Sequence, residues 1–395
     1  MTRYLPISLL ATMAACSSPG GSSPGSPPTA PEFQHDLVLS MALTVPPHQE
    51  LHTCQLATLP NTGDVEAISF SHEYSPGSHH FLVIQTDLDA IPTDLAGQYD
   101  CTFGNEPIMR HARGVLYGAQ TPIGHFPLPS GVGFRFKARQ VVILQAHYLN
   151  GTDTPIEAVL HFGIDTGNPE DIHQQAGYMF FYDPFIYVPP GGVAASGISC
   201  NVPSDINIIS ASSHYHQRGT GMRVWMDERG IPADQPFYET HDWQHSLDFH
   251  GPFQVPAGSR LRFQCDYANT DTTAVFEGPN AKTSEMCVLG GLYYPKLSGS
   301  FDNCDSLSVV GAGTSTCSDL VDCEATCVDA NVDVNNCKEK CVVSGCPRAA
   351  DLLLQLTACT QQQCHDECAA QHCRECAMAK CQTEANACLT QACAP

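Results

Sequence analysis

Fourteen of the 21 cysteines lie within residues 317–393, and this crowding constrains the fold more than any other feature of the 395-residue chain. The stretches "CEATC", "CKEKC" and "CHDEC" each set two thiols four positions apart. On a helix that spacing puts both on one face. The segment therefore reads as a small, disulfide-rich, helical module whose helices are stapled across their seam. A zinc or Cu(I) thiolate cluster is the competing reading, weakened because thiols outside the cell oxidise. Apart from Cys16, the body holds six cysteines and the tail 14. Even numbers on both sides fit closed disulfides with no thiol left over.

The N-terminus points to the same oxidising destination. "MTRYLPISLLATMAAC" carries Arg3, a short apolar run and small residues before Cys16, the pattern of a secretory signal over residues 1–16. Its ending resembles a bacterial lipobox with Met13 in place of the usual Leu, so Cys16 is the expected lipidation site. Residues 17–32 are a Ser/Pro/Gly tether without a foldable pattern. Ser17 after the cysteine suggests, by resemblance to sorted lipoproteins, an outer-membrane lipoprotein, secreted and either periplasmic or surface-exposed. The lipid anchor is the only membrane contact expected, because no other apolar run approaches the roughly 20 residues of a spanning helix. A net charge of −23 leaves no basic footprint for nucleic acid.

Between tether and tail, alternation dominates. "FLVIQT" (residues 81–86) and "QVVILQAHY" (residues 140–148) alternate as strands do, and "SPGS", "LPSGVG", "VPPGG" and "VPAGS" interrupt them as turns. The predicted fold is mainly β. It comprises two tandem antiparallel, jelly-roll-like β-sandwich domains over residues 33–175 and 176–305, a linker over 306–316, and the Cys-rich module over 317–395.

Four stretches carry the chemistry: "GSHHFLVIQT", "ILQAHYLN", "SSHYHQRG" and "SEMCVLGGLYYP". His214 and His216 would share one face of a strand, which suits a metal ion but also suits ordinary strand histidines in a chain with 18 His. Adjacent His79 and His80 would face opposite ways on a regular strand, and spacing alone does not pair them. Together, in this order over roughly residues 51–304, the four stretches resemble the copper type II, ascorbate-dependent monooxygenases. That family includes peptidylglycine α-hydroxylating monooxygenase and dopamine β-monooxygenase.

The resemblance implies two copper ions per chain. His79, His80 and His147 match the ligands of an electron-supplying copper; His214, His216 and Met286 match those of the copper where oxygen is activated, and are the candidate catalytic set. Two imidazoles and a thioether suit an ion that cycles between Cu(II) and Cu(I). The first imidazole set departs from the simple strand rule, since His79 and His80 can share an ion only on a locally irregular strand. Gln145 matches a family glutamine that supports the region between the sites. Family disulfides imply pairing of Cys54 with Cys101, Cys200 with Cys304 and Cys265 with Cys287, while Thr86 stands where peptide-amidating relatives have a cysteine. Those relatives hold a peptide carboxylate with an Arg and a Tyr where this chain has Ser212 and Gly290. The expected substrate therefore needs no carboxylate, and glycine at 290 should enlarge its pocket.

The implied activity is a dicopper monooxygenase that hydroxylates a C–H bond of a small organic substrate, using O2 and ascorbate or a similar reductant. The alternative is a non-catalytic copper-binding or storage lipoprotein, and the Cys-rich tail offers a surface for a protein partner in either case. His48, His52, His72, His111, His125, His161 and His173 read as surface or turn residues. His241, His245 and His250 form a weak further metal candidate. No Gly-rich phosphate loop or serine nucleophile elbow is present.

Overall fold

The computed structural model describes residues 33–102, 106–244, 249–297, 300–303, 313–329, 334–364, 367–368 and 372–393. Cys16, the tether over 17–32, His245 and Cys304 lie outside the described residues. Met1–Phe33 is a unit separate from the body, Gln34–Pro395.

The body is mainly β. The first group of strands is β1 (Leu37–Val45), β2 (Glu50–Thr58), β3 (Val65–Tyr74), β4 (Ser78–Thr86), β5 (Gln98–Asp100), β6 (Ala112–Ala119), β7 (Ile123–Pro127), β8 (Val132–Phe136), β9 (Val141–Leu149), β10 (Ile156–Gly167) and β11 (Gln174–Gln175). One sheet runs β1-β10-β3-β8-β11, with β7 also on β3; the other runs β5-β2-β9-β4-β6. Alternation gives each strand two faces. Phe81 and Val83 of β4 point between the sheets and pack with Phe70, Phe162 and Leu144. Ile84 and Leu82 point outward, into a smaller cluster around Cys54 and Cys101.

The second group is β12 (Gly177–Tyr182), β13 (Tyr187–Val188), β14 (Val193–Ser196), β15 (Ser199–Asn201), β16 (Ile206–His214), β17 (Gly219–Asp227), β18 (Tyr238–Thr240), β19 (Phe249–Val255), β20 (Arg260–Ala268), β21 (Val275–Phe276) and β22 (Val288–Tyr294). Its sheets run β12-β22-β16-β19 and β14-β20-β17-β18, with β15 on β20 and a separate β13-β21 pair. Met179, Phe181, Tyr215, Phe263 and Tyr293 lie in the core of this group. The other face of its first sheet presents Tyr178, Ile209 and Leu292 to the core cluster of the first group. The two groups therefore meet on an apolar seam. Within the strand pairs every register is antiparallel except β8 with β11.

The tail forms α1 (Cys317–Asp329), α2 (Val334–Val343), α3 (Pro347–Gln363), α4 (Cys373–Lys380) and α5 (Gln382–Leu389). Thr316 and Asp319 cap α1 reciprocally: the Thr316 N–H donates to Oδ2 of Asp319 at 2.8 Å, and the Asp319 N–H to Thr316 Oγ1 at 3.3 Å. Cys323–Cys341 and Cys327–Cys337 staple α1 to α2, each thiol pair of one helix bonding the pair of the next in reverse order. Cys364–Cys376 and Cys368–Cys373 repeat the device, and Cys359–Cys381, Cys317–Cys388 and Cys346–Cys393 tie the hairpins together. A disulfide sulfur offers no thiolate, so the pairing favours stapled helices over a zinc or Cu(I) thiolate cluster, although Cys327, Cys337 and Cys341 lie close together. Among the described residues no helix is long and apolar enough to cross a membrane.

Candidate metal centre

The first half of the site is written across three strands. His52 of β2 and His80 of β4 both lie directly opposite His147 of the central strand β9. Cross-strand neighbours on one face are in contact, and the His52 and His147 rings stack at 3.6 Å between centres. Pairing between β4 and β9 skips a residue: Ser78 opposes Tyr148 and His80 opposes His147, leaving His79 in a bulge. An extra bulge residue is released from the alternation. That is the irregularity which lets both members of the His79–His80 pair leave the core side.

The second half is built from a strand end, a turn and a braced loop. His214 ends β16, Tyr215 is buried in the core, and His216 follows just beyond the strand rather than within it. Glu285 holds that turn: its carboxylate accepts the N–H of His216 at 2.9 Å and of Arg218 at 2.7 Å. Burial pushes the Glu285 carboxyl up to about 7 against the pull of those amides. Met286 comes next in the chain, and its carbonyl accepts from Tyr267 Oη at 2.8 Å. Cys287 turns the other way, into the core, bridged to Cys265 of β20. Closing that loop is worth about 3 kcal/mol in the chain-entropy account. Cys54 bonds Cys101 in the first half, and Cys200 is also disulfide-bonded.

Second contacts orient the rings. His147 Nε2 is 2.8 Å from Glu50 Oε1, His214 Nδ1 is 3.0 Å from Gln120 Oε1, and His216 Nδ1 is 2.9 Å from the Ser284 carbonyl. A ring nitrogen that donates to an acceptor leaves the other free to ligate. The left-over nitrogens are His147 Nδ1, His214 Nε2 and His216 Nε2. Together with His52 Nε2, His79 Nε2 and His80 Nδ1, they are shielded from solvent and have no hydrogen-bond partner. They converge in two groups, His52/His80/His147 and His79/His214/His216, each with ligand atoms within 4.8 Å of one another. Burial pushes His52 and His216 down to about 4 and His79 to about 3, and holds His80, His147 and His214 well below the usual histidine range. Neutral imidazole is the ligating form. Unsatisfied buried polar atoms are costly, and a copper ion, for which imidazole and thioether are apt donors, fits this set.

Residues 179–309 match the C-terminal domain of the copper type II ascorbate-dependent monooxygenases. Over these residues the chain is similar to that family. It is also 22% identical over 294 residues to DBH-like monooxygenase protein 2 of Mus musculus, an alignment covering 67% of this chain and 46% of the mouse protein. The chain thus spans about half the length of this curated relative. The family is copper- and ascorbate-dependent and uses O2 on small molecules.

A largely apolar cavity of about 480 Å³ opens beside the imidazoles and receives Met286, His80, His214 and Gln145. Gln145 Nε2 approaches Cys101 Sγ at 3.6 Å. Ser212 and Gly290 are opposed across β16 and β22, so they mark one spot on the wall. Gly290 lines the cavity, and Tyr178 stands against it. A Cβ there would lie 2.7 Å from the Tyr178 hydroxyl, and a Cβ at Gly118 would lie equally close. Tyr178 of β12 has taken the space, and both glycines make room for it.

Two histidines expected at the surface are buried instead. His52, 6% exposed, belongs to the centre; only its register with His147 reveals this. His72, 1% exposed, is enclosed between Tyr117 Oη at 2.6 Å and the Thr121 carbonyl at 2.7 Å. His48, His111 and His173 occupy turns, a short 3-10 helix or loops, while His125 and His161 lie on β7 and β10 beside Ser71 and Ser40. His241 bonds the Thr220 carbonyl and His250 stacks on Phe126, so these two serve separate local contacts. Thr86 donates to the Val141 carbonyl at 2.7 Å. Glu50 and Gln120, which contact the His147 and His214 rings, and Glu285, which accepts the His216 N–H, carry no signature in the sequence.

Proposed function

We propose that this protein is a dicopper monooxygenase that hydroxylates a C–H bond of a small organic substrate, with O2 and ascorbate or a similar reductant. The observation that carries the reading is the convergence of six imidazoles with shielded, unpartnered nitrogens beside a cavity that also receives Met286. In this reading His80 and His147, with His52, hold one copper, and His214, His216 and Met286 hold the other. His79, expected with His80 and His147, has its ligand atom grouped with those of His214 and His216. His79 reaches both sets, its ring centre 5.1 Å from that of His147 and 4.8 Å from that of His214. Copper, when bound there, supplies one-electron chemistry and oxygen activation.

The chain's own contribution is orientation and exclusion of water. Glu50, Gln120 and the Ser284 carbonyl select which ring nitrogen faces inward. Tyr178, Phe180, Tyr182 and Val288 give the substrate an apolar bed, and no Lys or Arg is among the described residues lining it. Without a guanidinium, a carboxylate lacks its bidentate partner. The substrate we infer is a less polar compound of phenylethyl type or a secondary metabolite. The folded body is held outside the cytoplasm through lipidated Cys16.

Oxygen uptake by copper-loaded protein tests the reading. With ascorbate, consumption should depend on a phenylethyl compound and match hydroxylated product. A preference for glycine-extended peptides refutes the substrate inference. Copper binding with no substrate-dependent uptake refutes the oxygenase and leaves a carrier.

A further inference from the structure

We propose that the Cys-rich module is a wall of the substrate cavity and that Thr357 on α3 limits the size of substrate admitted. The proposal rests on the oxygenase reading only in taking the cavity as the place where substrate sits.

Helix α3 buries Ala349, Ala350, Leu352 and Leu353 in one apolar cluster with Cys317, Val342 and Cys388 of its own module. Phe185, 4% exposed, enters that cluster from the loop after β12. The loop is set by Asp183, whose Oδ1 accepts the Phe185 N–H at 2.9 Å. Pro184, the residue before Phe185, faces the other way and lines the cavity. One loop thus touches the substrate space with one residue and anchors the module with the next. Positions 349, 353 and 357 recur every four residues and share a helix face. Continuing past Leu353, that face delivers Thr357 to the cavity that also receives His214 and Met286. Disulfides hold α3 at both ends, Cys346–Cys393 before it and Cys359–Cys381 two residues beyond Thr357. A side chain so tethered acts as a fixed wall. The module therefore shapes the site, rather than hanging beside it as a free docking surface.

The test uses full-length, copper-loaded protein, with 2-phenylethylamine and 4-phenylbutylamine as probes. Thr357→Trp should lower kcat/KM for the longer amine about tenfold more than for the shorter, the scale on which an apolar pocket discriminates methylenes. Thr357→Ala should shift the ratio the other way. Copper content and the Cu(II) EPR spectrum should be unchanged in both variants. Gln355→Trp, on the exposed face of α3, should leave the ratio alone. Selectivity equal in wild type and Thr357→Trp, or shifted equally by Gln355→Trp, overturns the wall. Calorimetric binding of the same amines to copper-free protein separates this inference from the oxygenase reading. Binding that weakens selectively for the longer amine in Thr357→Trp, with no turnover in any variant, upholds the wall and sinks only the oxygenase. Binding unaffected by the substitution, or no binding by wild type, overturns the wall.

Discussion

On the first group of strands the imidazoles are placed by register, whereas on the second they are placed by a turn and a loop that must be braced. His52, His147 and His80 sit opposite one another on adjacent strands of one sheet, so the sheet's own hydrogen bonds space them. His216 and Met286 lie outside regular strands and depend on Glu285, Tyr267 and the Cys265–Cys287 bridge. Each half is therefore vulnerable at a different place. A sheet-borne site tolerates loss of one contact, because its backbone is held elsewhere. A loop-borne site loses its geometry with its brace.

Acid should break both halves at once, and it is the largest effect expected. Each depressed imidazole is neutral when folded and protonates near 6.5 when unfolded, so the unfolded state binds more protons between that value and the folded one. Stability of the copper-free protein therefore falls as pH drops from about 6.5 toward 4, by roughly 1.4 kcal/mol per pH unit for each such ring. Raised Glu50 and Glu285 act in the opposite sense, since their contribution is lost as pH rises from the ordinary carboxyl value. They offset part of the loss. Thermal melts of copper-free protein between pH 7 and 4 should show a steep decline; a flat profile would contradict neutral buried imidazoles.

Single ligands separate the halves. Met286→Ala should reduce turnover by at least about 100-fold while one copper stays bound, because an open metal position is kept only by its remaining ligands. Copper analysis beside oxygen uptake checks this, and retained turnover counts against the assignment. His147→Ala should lower copper on the sheet-borne side and slow product formation. His52→Ala, which removes the stacked neighbour of His147, should weaken copper binding on that side by about 10- to 100-fold, measured by competition with a chelator. Unchanged affinity would reduce His52 to a packing residue.

The braces give the finest comparison. Glu285→Gln leaves one of two amides without a carboxylate acceptor and should cost about 1–3 kcal/mol, with copper lost from the His214/His216 side alone. Glu50→Gln keeps an acceptor oxygen for His147 and should cost about 1 kcal/mol or less. Denaturant titration of both variants measures the contrast. Equal costs would mean that the two halves are braced alike.

Much of this was legible before any tertiary contact. Alternation in "FLVIQT" marked β4, and the Cys-x-x-x-Cys spacing marked the stapled helices. His214, His216 and Met286 were marked by the resemblance of their motifs to a known family, since spacing alone suits ordinary strand residues equally well. His52 was not, because the period of a strand says which face a residue takes and never which residue lies opposite it. Tyr178 was not, because nothing local to Gly290 says that a ring from another strand fills the vacated space.

Residue chemistry, strand period and the helical spacing of the tail thiols are short-range properties, so the amino-acid order alone determined them. Long-range pairing decided the rest. The skipped residue at His79, the alignment of His52 with His147 and the arrival of Thr357 at the cavity join positions 67 or more residues apart, or depend on strands that do. Their physical cause is the docking of sheets and helices around shared apolar cores, which no local pattern encodes.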